Sequence, residues 1–505
     1  MGFDFLDFGF PRSGTDWKSI NGKPYITVSS KGRSNGLSNK INDGADFGPD
    51  TTLNATSPSQ TGSPYTQTKG ILEAGNYLKS LQGGTMILID PAGYEISQPI
   101  VLNLYDASAP SLQQAYDITI KGASWKNHIG TAIYPSPSFP SGDFLLTING
   151  SNDYQVGFIL QSFVLNGATD NGFASTPYAK GLLVQDGNYG RIDSLTYENC
   201  VVGRDFEFVS GGPSQISGFE CSNELFVNCN TGIINKYGGI TTINPGFYQN
   251  YPGNQSSVAI IESGQQNVAY INPLLYSISV APLFMEVTAE NPYELINVQN
   301  LYYQGNFPSN GGYSIFEVAS NISTGHTILK IDGCVINPTN STANTPVTFI
   351  NGVSGSSTAP FDVFINNFVP FVFALTVVSN GGNISKINSI VSDSNFSYTT
   401  YLTLQSGSNV NESIFNSLGI LDTLNQPAIP ASGTAQANPN PYPINAYING
   451  GTVTEVQILR GGGTYTVFSN ATGLALAGQN FKLESGDSIT LTYTTAPTWV
   501  WLPAE

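Results

Sequence analysis

The stretch from residue 83 to residue 100 reads GGTMILIDPAGYEISQPI, and it decides the fold. A glycine pair is followed by the apolar residues 86–89, a Pro-x-Gly turn at 91–93 and a second short apolar segment. Short β-strands bounded by glycine- and proline-containing turns have this pattern. The stretch therefore predicts a compact strand–turn–strand unit.

The residues before this unit have the periodicity of a helix. Four apolar residues recur at the spacing of one helical face: Ile71, Ala74, Leu78 and Leu81. The glycine pair at 83–84 follows, and glycine is a frequent residue just after a helix end. A short helix is therefore predicted to lead into the first strand. No long helical pattern follows residue 81, which argues against an alternating α/β fold.

Short apolar segments separated by polar turns continue to about residue 425. Many of them end in Asn-Gly, Asp-Gly or Asn-Asn, and asparagine and glycine tolerate the left-handed backbone of a corner. Residues 199–203 read NCVVG, and the similar unit NCNTG returns 29 residues later at 228–232. A recurrence of this length is typical of one turn of a solenoid, in which Cys200 and Cys229 would stack in the interior. A set of β-sandwiches is the alternative all-β interpretation.

A further segment, residues 43–51, reads DGADFGPDT. Together with the helix and the Gly-Gly-Thr strand unit, this segment resembles the entry cap of the pectate-lyase-like superfamily of right-handed parallel β-helices. That superfamily includes pectin-degrading enzymes and viral tailspikes. The resemblance covers residues 41–102 and implies an all-β fold, a right-handed parallel β-helix with an N-terminal capping helix.

Composition changes along the chain predict four segments. Residues 1–40 are aromatic and glycine-rich and are interpreted as an N-terminal arm, and residues 41–425 as the β-helix with its cap. Residues 426–445 carry five prolines and predict a semi-rigid linker. Residues 446–505 have alternating strands and glycine turns, which predict a small C-terminal β-sandwich module.

Charge excludes several classes of partner. The net charge is −17, from 35 acidic and 18 basic residues, so we expect neither nucleic-acid binding nor docking on anionic membranes.

No apolar run reaches the roughly 20 residues of a membrane-spanning helix. Residues 1–10 lack a basic region and a clean apolar core, so no secretory signal is predicted. A virion or extracellular component is the favoured interpretation, with a mature secreted enzyme as the alternative.

Candidate chemistry is confined to one charged segment, residues 180–207, which holds two of the five arginines and five carboxylates. Stacked coils can bring carboxylates within the roughly 5 to 10 Å that glycosidic acid/base chemistry needs. The candidate catalytic residues are Asp186, Asp193 and Asp205, and Arg191 and Glu198 are candidate ligand-binding residues. A salt-bridged stack of turns is the alternative. No cysteine and histidine spacing indicates a metal site, and no cofactor is predicted.

The last predicted strand places Trp499 and Trp501 on one face because they are two residues apart. Two tryptophans on one face can form a sugar-binding platform, or they can be core and subunit contacts. Both interpretations stay open at the level of sequence.

These observations predict a viral tailspike-like or fibre-like protein, because the family resemblance implies a carbohydrate target. It would recognise cell-surface polysaccharide, with or without cleaving it, as a homotrimer that contacts other virion proteins through the N-terminal arm. The alternatives are a secreted polysaccharide lyase or hydrolase and a non-enzymatic structural component of a virion or surface layer.

Overall fold

The fold was analysed in a computed structural model, which describes residues 19–20, 23–30, 45–49, 67–91, 93–104, 117–124, 130–150, 157–172, 175–185, 190–207, 218–236, 239–249, 258–263, 267–280, 283–288, 294–306, 313–318, 326–338, 347–352, 361–370, 375–380, 386–390, 400–404, 409–410, 427–438 and 443–503. The described residues contain one helix, α1 (Ile71–Ser80), and 37 strands. The strands are β1 (Ser19–Ile20), β2 (Lys23–Val28), β3 (Gly83–Leu88), β4 (Tyr94–Ile96), β5 (Ile100–Asn103), β6 (Asp117–Gly122), β7 (Ala132–Pro135), β8 (Phe144–Asn149), β9 (Phe158–Gln161), β10 (Val164–Asn166), β11 (Lys180–Gln185), β12 (Gly190–Asp193), β13 (Thr196–Glu198), β14 (Val202–Glu207), β15 (Phe219–Ser222), β16 (Leu225–Val227), β17 (Thr231–Asn235), β18 (Ile240–Ile243), β19 (Gly246–Gln249), β20 (Val258–Glu262), β21 (Val268–Ile271), β22 (Leu274–Val280), β23 (Leu283–Val287), β24 (Glu294–Asn306), β25 (Tyr313–Val318), β26 (Thr327–Pro338), β27 (Val347–Gly352), β28 (Phe361–Pro370), β29 (Leu375–Asn380), β30 (Lys386–Ile390), β31 (Thr400–Leu404), β32 (Asn409–Val410), β33 (Ala435–Ala437), β34 (Ile444–Arg460), β35 (Gly463–Leu483), β36 (Ser488–Thr495) and β37 (Thr498–Pro503).

Strands β2 to β32 stack in three parallel rows, and each coil of the chain adds strands to the rows in turn. The first row is β2, β3, β6, β9, β12, β15, β18, β21, the first halves of β24, β26 and β28, then β30 and β32. The second row is β4, β7, β10, β13, β16, β19, β22 and the second halves of β24, β26 and β28. The third row is β5, β8, β11, β14, β17, β20, β23, β25, β27, β29 and β31. The predicted right-handed parallel β-helix is confirmed.

Helix α1 forms the predicted cap, since Ile71, Ala74 and Leu78 are buried against the first strands. Leu81 differs from the prediction. It follows the helix as its C-terminal capping residue and is exposed, because the helix ends at Ser80 and the chain turns into the glycine pair. The residue that takes the left-handed conformation after the helix is Gln82, with a φ of 62°, and the glycine pair already begins β3, so the pair follows the helix end but does not form it.

The glycines of the repeated NCxxG unit pack beside an interior stack of aromatic rings. The rings of Tyr197 and Phe226 are stacked nearly parallel with centroids 4.8 Å apart, and those of Phe226 and Phe247 are stacked with centroids 5.0 Å apart. A Cβ on Gly203 would lie only 2.6 Å from the carbonyl oxygen of Gly232 in the next coil. Because Gly203 has no Cβ, the next coil and the Phe226 ring can occupy this space.

The two cysteines of the repeat are buried in successive coils, as predicted. The thiol of Cys200 donates to the carbonyl oxygen of Leu165 at 3.4 Å, and the thiol of Cys229 donates to that of Tyr197 at 3.4 Å. Each thiol thus reaches back to the preceding coil. Both behave as small interior side chains.

An asparagine ladder, Asn223, Asn244, Asn272 and Asn300, forms the corner between the first and second rows. All four have φ between 51 and 56°. Their exposed amides hydrogen-bond from coil to coil at 3.3, 3.1 and 3.0 Å along the sequence. Asparagine is suited to this corner because it tolerates the left-handed backbone and its amide bonds the next copy. The predicted role of asparagine is therefore confirmed at this corner.

The N-terminal boundary of the β-helix differs from the predicted residue 41. Strand β2, residues 23–28, already pairs in parallel with β3 and is the first strand of the first row. Alternating side chains of β2 are fully buried, so this part of the predicted arm belongs to the solenoid. Residues 1–18 of the predicted arm lie outside the described residues.

The C-terminal module is one antiparallel sheet of β33 to β37 with its own core around Ile444, Val456 and Trp501. Strand β34 pairs with β35 on one side and with β36 and β37 on the other. Part of the predicted linker belongs to this module. Strand β33 pairs with β36, and the carbonyl oxygen of Pro427 accepts a hydrogen bond from the Trp499 indole at 2.7 Å.

Candidate functional site

The coil geometry separates the charged segment 180–207 into different rows. Arg191 and Asp193 lie in β12 of the first row, Glu198 in β13 of the second row, and Asp205 in β14 of the third row. Asp186 lies outside the described residues. Residues that are close in sequence thus lie on different sides of the solenoid, and the predicted single cluster is not formed by its described members.

Asp193 is a corner carboxylate held by four side chains. It accepts hydrogen bonds from Ser222 at 3.0 Å, Ser194 at 3.2 Å, Gln161 at 3.3 Å and Asn223 at 3.4 Å. Partial burial raises its pKa, but these donors outweigh burial and hold the pKa below its ordinary value. A carboxylate kept ionised by its neighbours in this way fixes the corner between adjacent coils.

The two candidate ligand-binding residues of this segment have opposite environments. Arg191 is exposed, and its register neighbour in the next coil is the exposed Glu220. Glu198 is fully buried, so the prediction that it contacts a ligand is wrong for this conformation. The chain after β10 packs over this corner, where the amide of Asn199 donates to the carbonyl oxygen of Gly172.

The two tryptophans of β37 do share a side of the strand, but that side faces the module core. Trp501 is fully buried, and its ring meets that of Trp499 at 5.1 Å in a T-shaped arrangement. Trp499 is half-buried and bonds Pro427. The pair is core, and Trp501 cannot serve as a sugar platform because it has no exposed surface. Trp499 also borders an open depression of about 490 Å³ beside Tyr447.

Asp205 differs from Asp193 because nearby charges, those of Lys236 and Lys180, rather than several hydrogen-bond donors act against its burial. Its side chain points outward from β14, yet the residue is only 7% exposed, between the register neighbours Leu183 and Ile234. Its Oδ1 is buried without a hydrogen-bond partner among the described residues. Burial raises the pKa of Asp205 to about 6, although the ammonium of Lys236 acts in the opposite direction.

Glu207 and Lys236 complete this group. Glu207 lies two residues after Asp205 on the same side of β14, and Lys236 directly follows β17 in the next coil. The ammonium of Lys236 is 2.6 Å from Glu207 Oε1 and 4.0 Å from Asp205 Oδ2. Lys236 therefore pairs closely with one carboxylate and only loosely with the other. The sequence pattern indicates Asp205 but neither Glu207 nor Lys236.

A second surface, which sequence analysis missed, runs along the second row and is called here the tyrosine strip: Tyr248, Tyr276, Tyr302, Gln304 and Asn337. The rings of Tyr248 and Tyr276 lie in successive coils with centroids 6.3 Å apart. The hydroxyl of Tyr302 donates to Gln304 Oε1 at 3.3 Å and accepts from the amide of Asn337 at 3.0 Å. Amides of the asparagine ladder are exposed at the adjoining corner.

A sequence signal for the tyrosine strip exists. Residues 243–248 read INPGFY and residues 271–276 read INPLLY, so an Asn-Pro corner and an outward tyrosine recur one coil later. The recurrence identifies one face of the solenoid in the same way as the NCxxG unit identifies the interior.

Two other kinds of feature are absent from the described residues. No group of three or more histidine, cysteine, aspartate or glutamate side chains in this part of the chain could hold a metal ion. Among the same residues, no helix is long and apolar enough to cross a membrane.

Several solved structures resemble the chain at low sequence identity. The tailspike protein of Acinetobacter phage vB_ApiP_P1 aligns with a TM-score of 0.41 and 12% identity over 87% of this chain and 86% of that one. The tailspike protein of Escherichia coli bacteriophage HK620, solved with a pentasaccharide, gives a TM-score of 0.40 and 10% identity over 86% and 88%. The A-module of the Azotobacter vinelandii mannuronan C-5 epimerase AlgE6 gives 0.37 and 12% over 68% and 93%. No protein-family model and no curated protein matches the chain in sequence.

Proposed function

We propose that the protein binds a polysaccharide along the tyrosine strip. The supporting observation is the strip itself, in which outward tyrosines and amides follow one another from coil to coil. Aromatic rings offer apolar faces to the C–H surfaces of sugars, and phenol and amide groups offer hydrogen bonds to their hydroxyls. The strip contains no charged side chain, so neutral sugar units are the expected ligand.

The spacing of the strip favours a polymer over a single sugar. Neighbouring coils in a parallel row are about 4.8 Å apart, so equivalent groups recur along the solenoid axis. A polysaccharide also presents equivalent groups at a regular step, and many weak contacts then add along the chain. The polymer is expected to lie parallel to the axis, beside the asparagine ladder.

Replacing Tyr276 by alanine is expected to weaken polysaccharide binding at least tenfold, because the central ring of the strip is removed. The measurement is retention of the purified protein on immobilised neutral glucans, galactans and N-acetylated bacterial capsular polysaccharides, followed by titration on each polymer that retains it. Tyr134→Ala is the matched control, since Tyr134 is a half-buried tyrosine of the same row outside the strip. Equal loss in both variants, or no retention of the wild type, would refute the strip as the binding surface.

The wider role in this proposal is that of a tailspike-like spike on a virion or in the extracellular medium. The low charge content and net charge of −17 support an exposed protein that avoids nucleic acid and anionic membranes. Attachment to other virion proteins through the predicted N-terminal arm, residues 1–40, stays a prediction. There are two alternatives. A secreted enzyme would not associate with a virion, and a non-enzymatic structural component would not bind polysaccharide.

A homotrimer is also part of the proposal, and the C-terminal module supports it. Strand β35 is 21 residues long, and among the described residues only β34 forms a ladder with it. Its exposed residues include Tyr465, Val467 and Leu474, which are 57, 45 and 47% exposed. A long apolar edge strand is normally covered by another strand or subunit.

Replacing Tyr465 and Val467 together by lysine is therefore expected to dissociate the oligomer. Two charges on one side of β35 would have to be buried between subunits, where they lack partners. Light scattering of the purified proteins measures the mass. Gln479→Lys, at an exposed polar position of the same strand, is the control. A monomeric wild type, or a trimer that survives the double change, contradicts the assignment of this edge.

A further inference from the structure

We propose that the open depression on the outer face of the C-terminal module is a second binding site, which takes a short stretch of neutral sugar units. The site lies outside the solenoid and is separate from the tyrosine strip, so the inference rests on the proposed polysaccharide binding only for the class of ligand. The depression has a volume of about 490 Å³, a size typical of ligand pockets, and its lining residues belong to β34, β35 and β37.

Alternation along two neighbouring strands places the lining side chains on the face opposite to the module core. In β34, Ile448 is fully buried, whereas Tyr447 is half-buried and Asn449 is exposed. Strand β37 pairs with this segment so that Val500 lies opposite Tyr447 and Thr498 lies opposite Asn449. These four outward side chains therefore form one accessible surface.

A β-bulge in β35 shapes the third side of the depression. The residue before Asn449 pairs with Gln479, but Asn449 itself pairs with Ala477. Gly478 is therefore an extra residue in β35, and such a bulge bends the strand that contains it. The φ of Gly478 is 71°, and a Cβ there would meet no atom within 4 Å. Because Ala477 is also small, this part of β35 leaves open space in front of the sheet.

The lining residues offer both kinds of contact that a sugar unit needs. The ring of Tyr447 and the side chain of Val500, which is 52% exposed, supply apolar surface for the C–H faces of a sugar. The Tyr447 hydroxyl and the Asn449 amide make no hydrogen bond to the other described residues, so both can bond the hydroxyls of a ligand. The hydroxyl of Thr498 donates to the backbone carbonyl oxygen of Asn449 at 3.1 Å, and its own oxygen can still accept.

The chemistry of the lining selects for a neutral ligand with hydroxyl groups. Among the described residues that line the depression, none is charged. A charged sugar would lose part of its hydration there without gaining a counter-charge. A purely apolar ligand would cover the polar groups of Asn449 and Thr498 without bonding them, which is also unfavourable. A neutral sugar unit avoids both costs.

The test is calorimetric titration of the full-length protein with hexasaccharides of glucose, galactose and N-acetylglucosamine. The protein carries Tyr276→Ala, so that the strip contributes little. Tyr447→Ala is expected to weaken binding at least tenfold, because the ring and its hydroxyl are both lost. Ala477→Gln is expected to weaken it equally, because the longer side chain occupies the depression. Ala475→Gln is the matched control, since Ala475 is an exposed alanine of the same strand outside the depression.

Two further measurements address the position of the bound sugar and the charge argument. Hydrogen exchange followed by mass spectrometry should show slower exchange at residues 444–450 and 476–480 when the hexasaccharide is bound. The hexamer of galacturonic acid should bind at least tenfold more weakly than the neutral hexasaccharides, because each of its units carries a carboxylate. Equal affinity for the acidic hexamer overturns the assignment of a neutral ligand.

The outcomes separate this inference from the binding proposal. If none of the hexasaccharides binds, or if binding survives both Tyr447→Ala and Ala477→Gln, the site in the module is overturned, while polymer retention that depends on Tyr276 leaves the tyrosine strip standing. Binding that is lost in Ala477→Gln but not in Ala475→Gln supports the module site even where the strip is refuted. A changed mass of Ala477→Gln in light scattering with unchanged affinity also overturns the inference, because the depression would then be a subunit contact.

Discussion

Replacing Gly203 by alanine is expected to destabilise the solenoid by at least about 3 kcal/mol, the upper end of ordinary overpacking costs. The added Cβ would lie 2.6 Å from the carbonyl oxygen of Gly232 and 2.7 Å from the ring of Phe226. Neither can retreat easily, because the carbonyl belongs to the next coil and the ring is stacked between Tyr197 and Phe247. The coils would have to separate at this point, which breaks the register of the third row.

The control for this prediction is Gly142→Ala. Gly142 has a φ of 80°, but a Cβ there would meet no atom within 4 Å. The substitution should therefore cost only the left-handed backbone strain, about 1 to 2 kcal/mol. Urea unfolding followed by circular dichroism measures both variants. If Gly142→Ala is the more destabilising of the two, the close contacts around residue 203 are not the reason why glycine is needed there.

Replacing Arg204 by methionine is expected to cost about 3 to 5 kcal/mol, because it leaves a buried carboxylate without its charge partner. Arg204 and Glu224 are both fully buried, with Nη2 and Oε2 3.4 Å apart. The guanidinium also donates to Cys221 Sγ at 2.9 Å and lies over the Phe206 ring, while the Tyr197 hydroxyl donates to Glu224 at 3.0 Å. Without the arginine, the Tyr197 hydroxyl would be the one group among the described residues that opposes the burial cost of the charge.

The double variant Arg204→Met, Glu224→Gln should recover part of the loss, since glutamine still accepts from Tyr197 and carries no charge. Burial already raises the pKa of Glu224, with Arg204 and Tyr197 opposing it, so losing Arg204 raises it further. The single variant should therefore lose less stability at pH 5 than at pH 8, because protonation of Glu224 removes the unpaired charge. Arg191→Met, at an exposed arginine, should stay within about 0.5 kcal/mol of the wild type. A double variant less stable than Arg204→Met contradicts the ion-pair explanation.

The interior and corners of the fold could be predicted from sequence because they repeat at the length of a coil. The NCxxG unit recurs once per coil at this point of the chain, and the structure stacks its cysteines and glycines in register. The capping helix was likewise visible as a local pattern. The apolar periodicity does not mark where the helix ends, so it predicts Leu81 on the buried face although the chain has already turned there.

The candidate site could be predicted only in part, because sequence proximity is misleading in a solenoid. Asp193 and Asp205 are close in sequence but lie in different rows, whereas Asp205 meets Lys236, which belongs to the next coil. The alternation of Trp499 and Trp501 correctly placed them on one side of a strand. Alternation alone does not say which side faces the core, and packing against Ile444 and its neighbours decides that.

The strands keep their register although the chain between them varies in length. Cys221 pairs with Thr242 of the next coil, and Phe316 pairs with Ile350 of the next coil. The coil from Phe316 to Ile350 contains more residues than the coil from Cys221 to Thr242, yet the strands are paired in both. Extra residues are therefore accommodated in the connecting segments without displacing the rows, and each coil contacts mainly its two neighbours. Such a scaffold is modular. Connecting segments can be lengthened or shortened while the stacked strands stay unchanged.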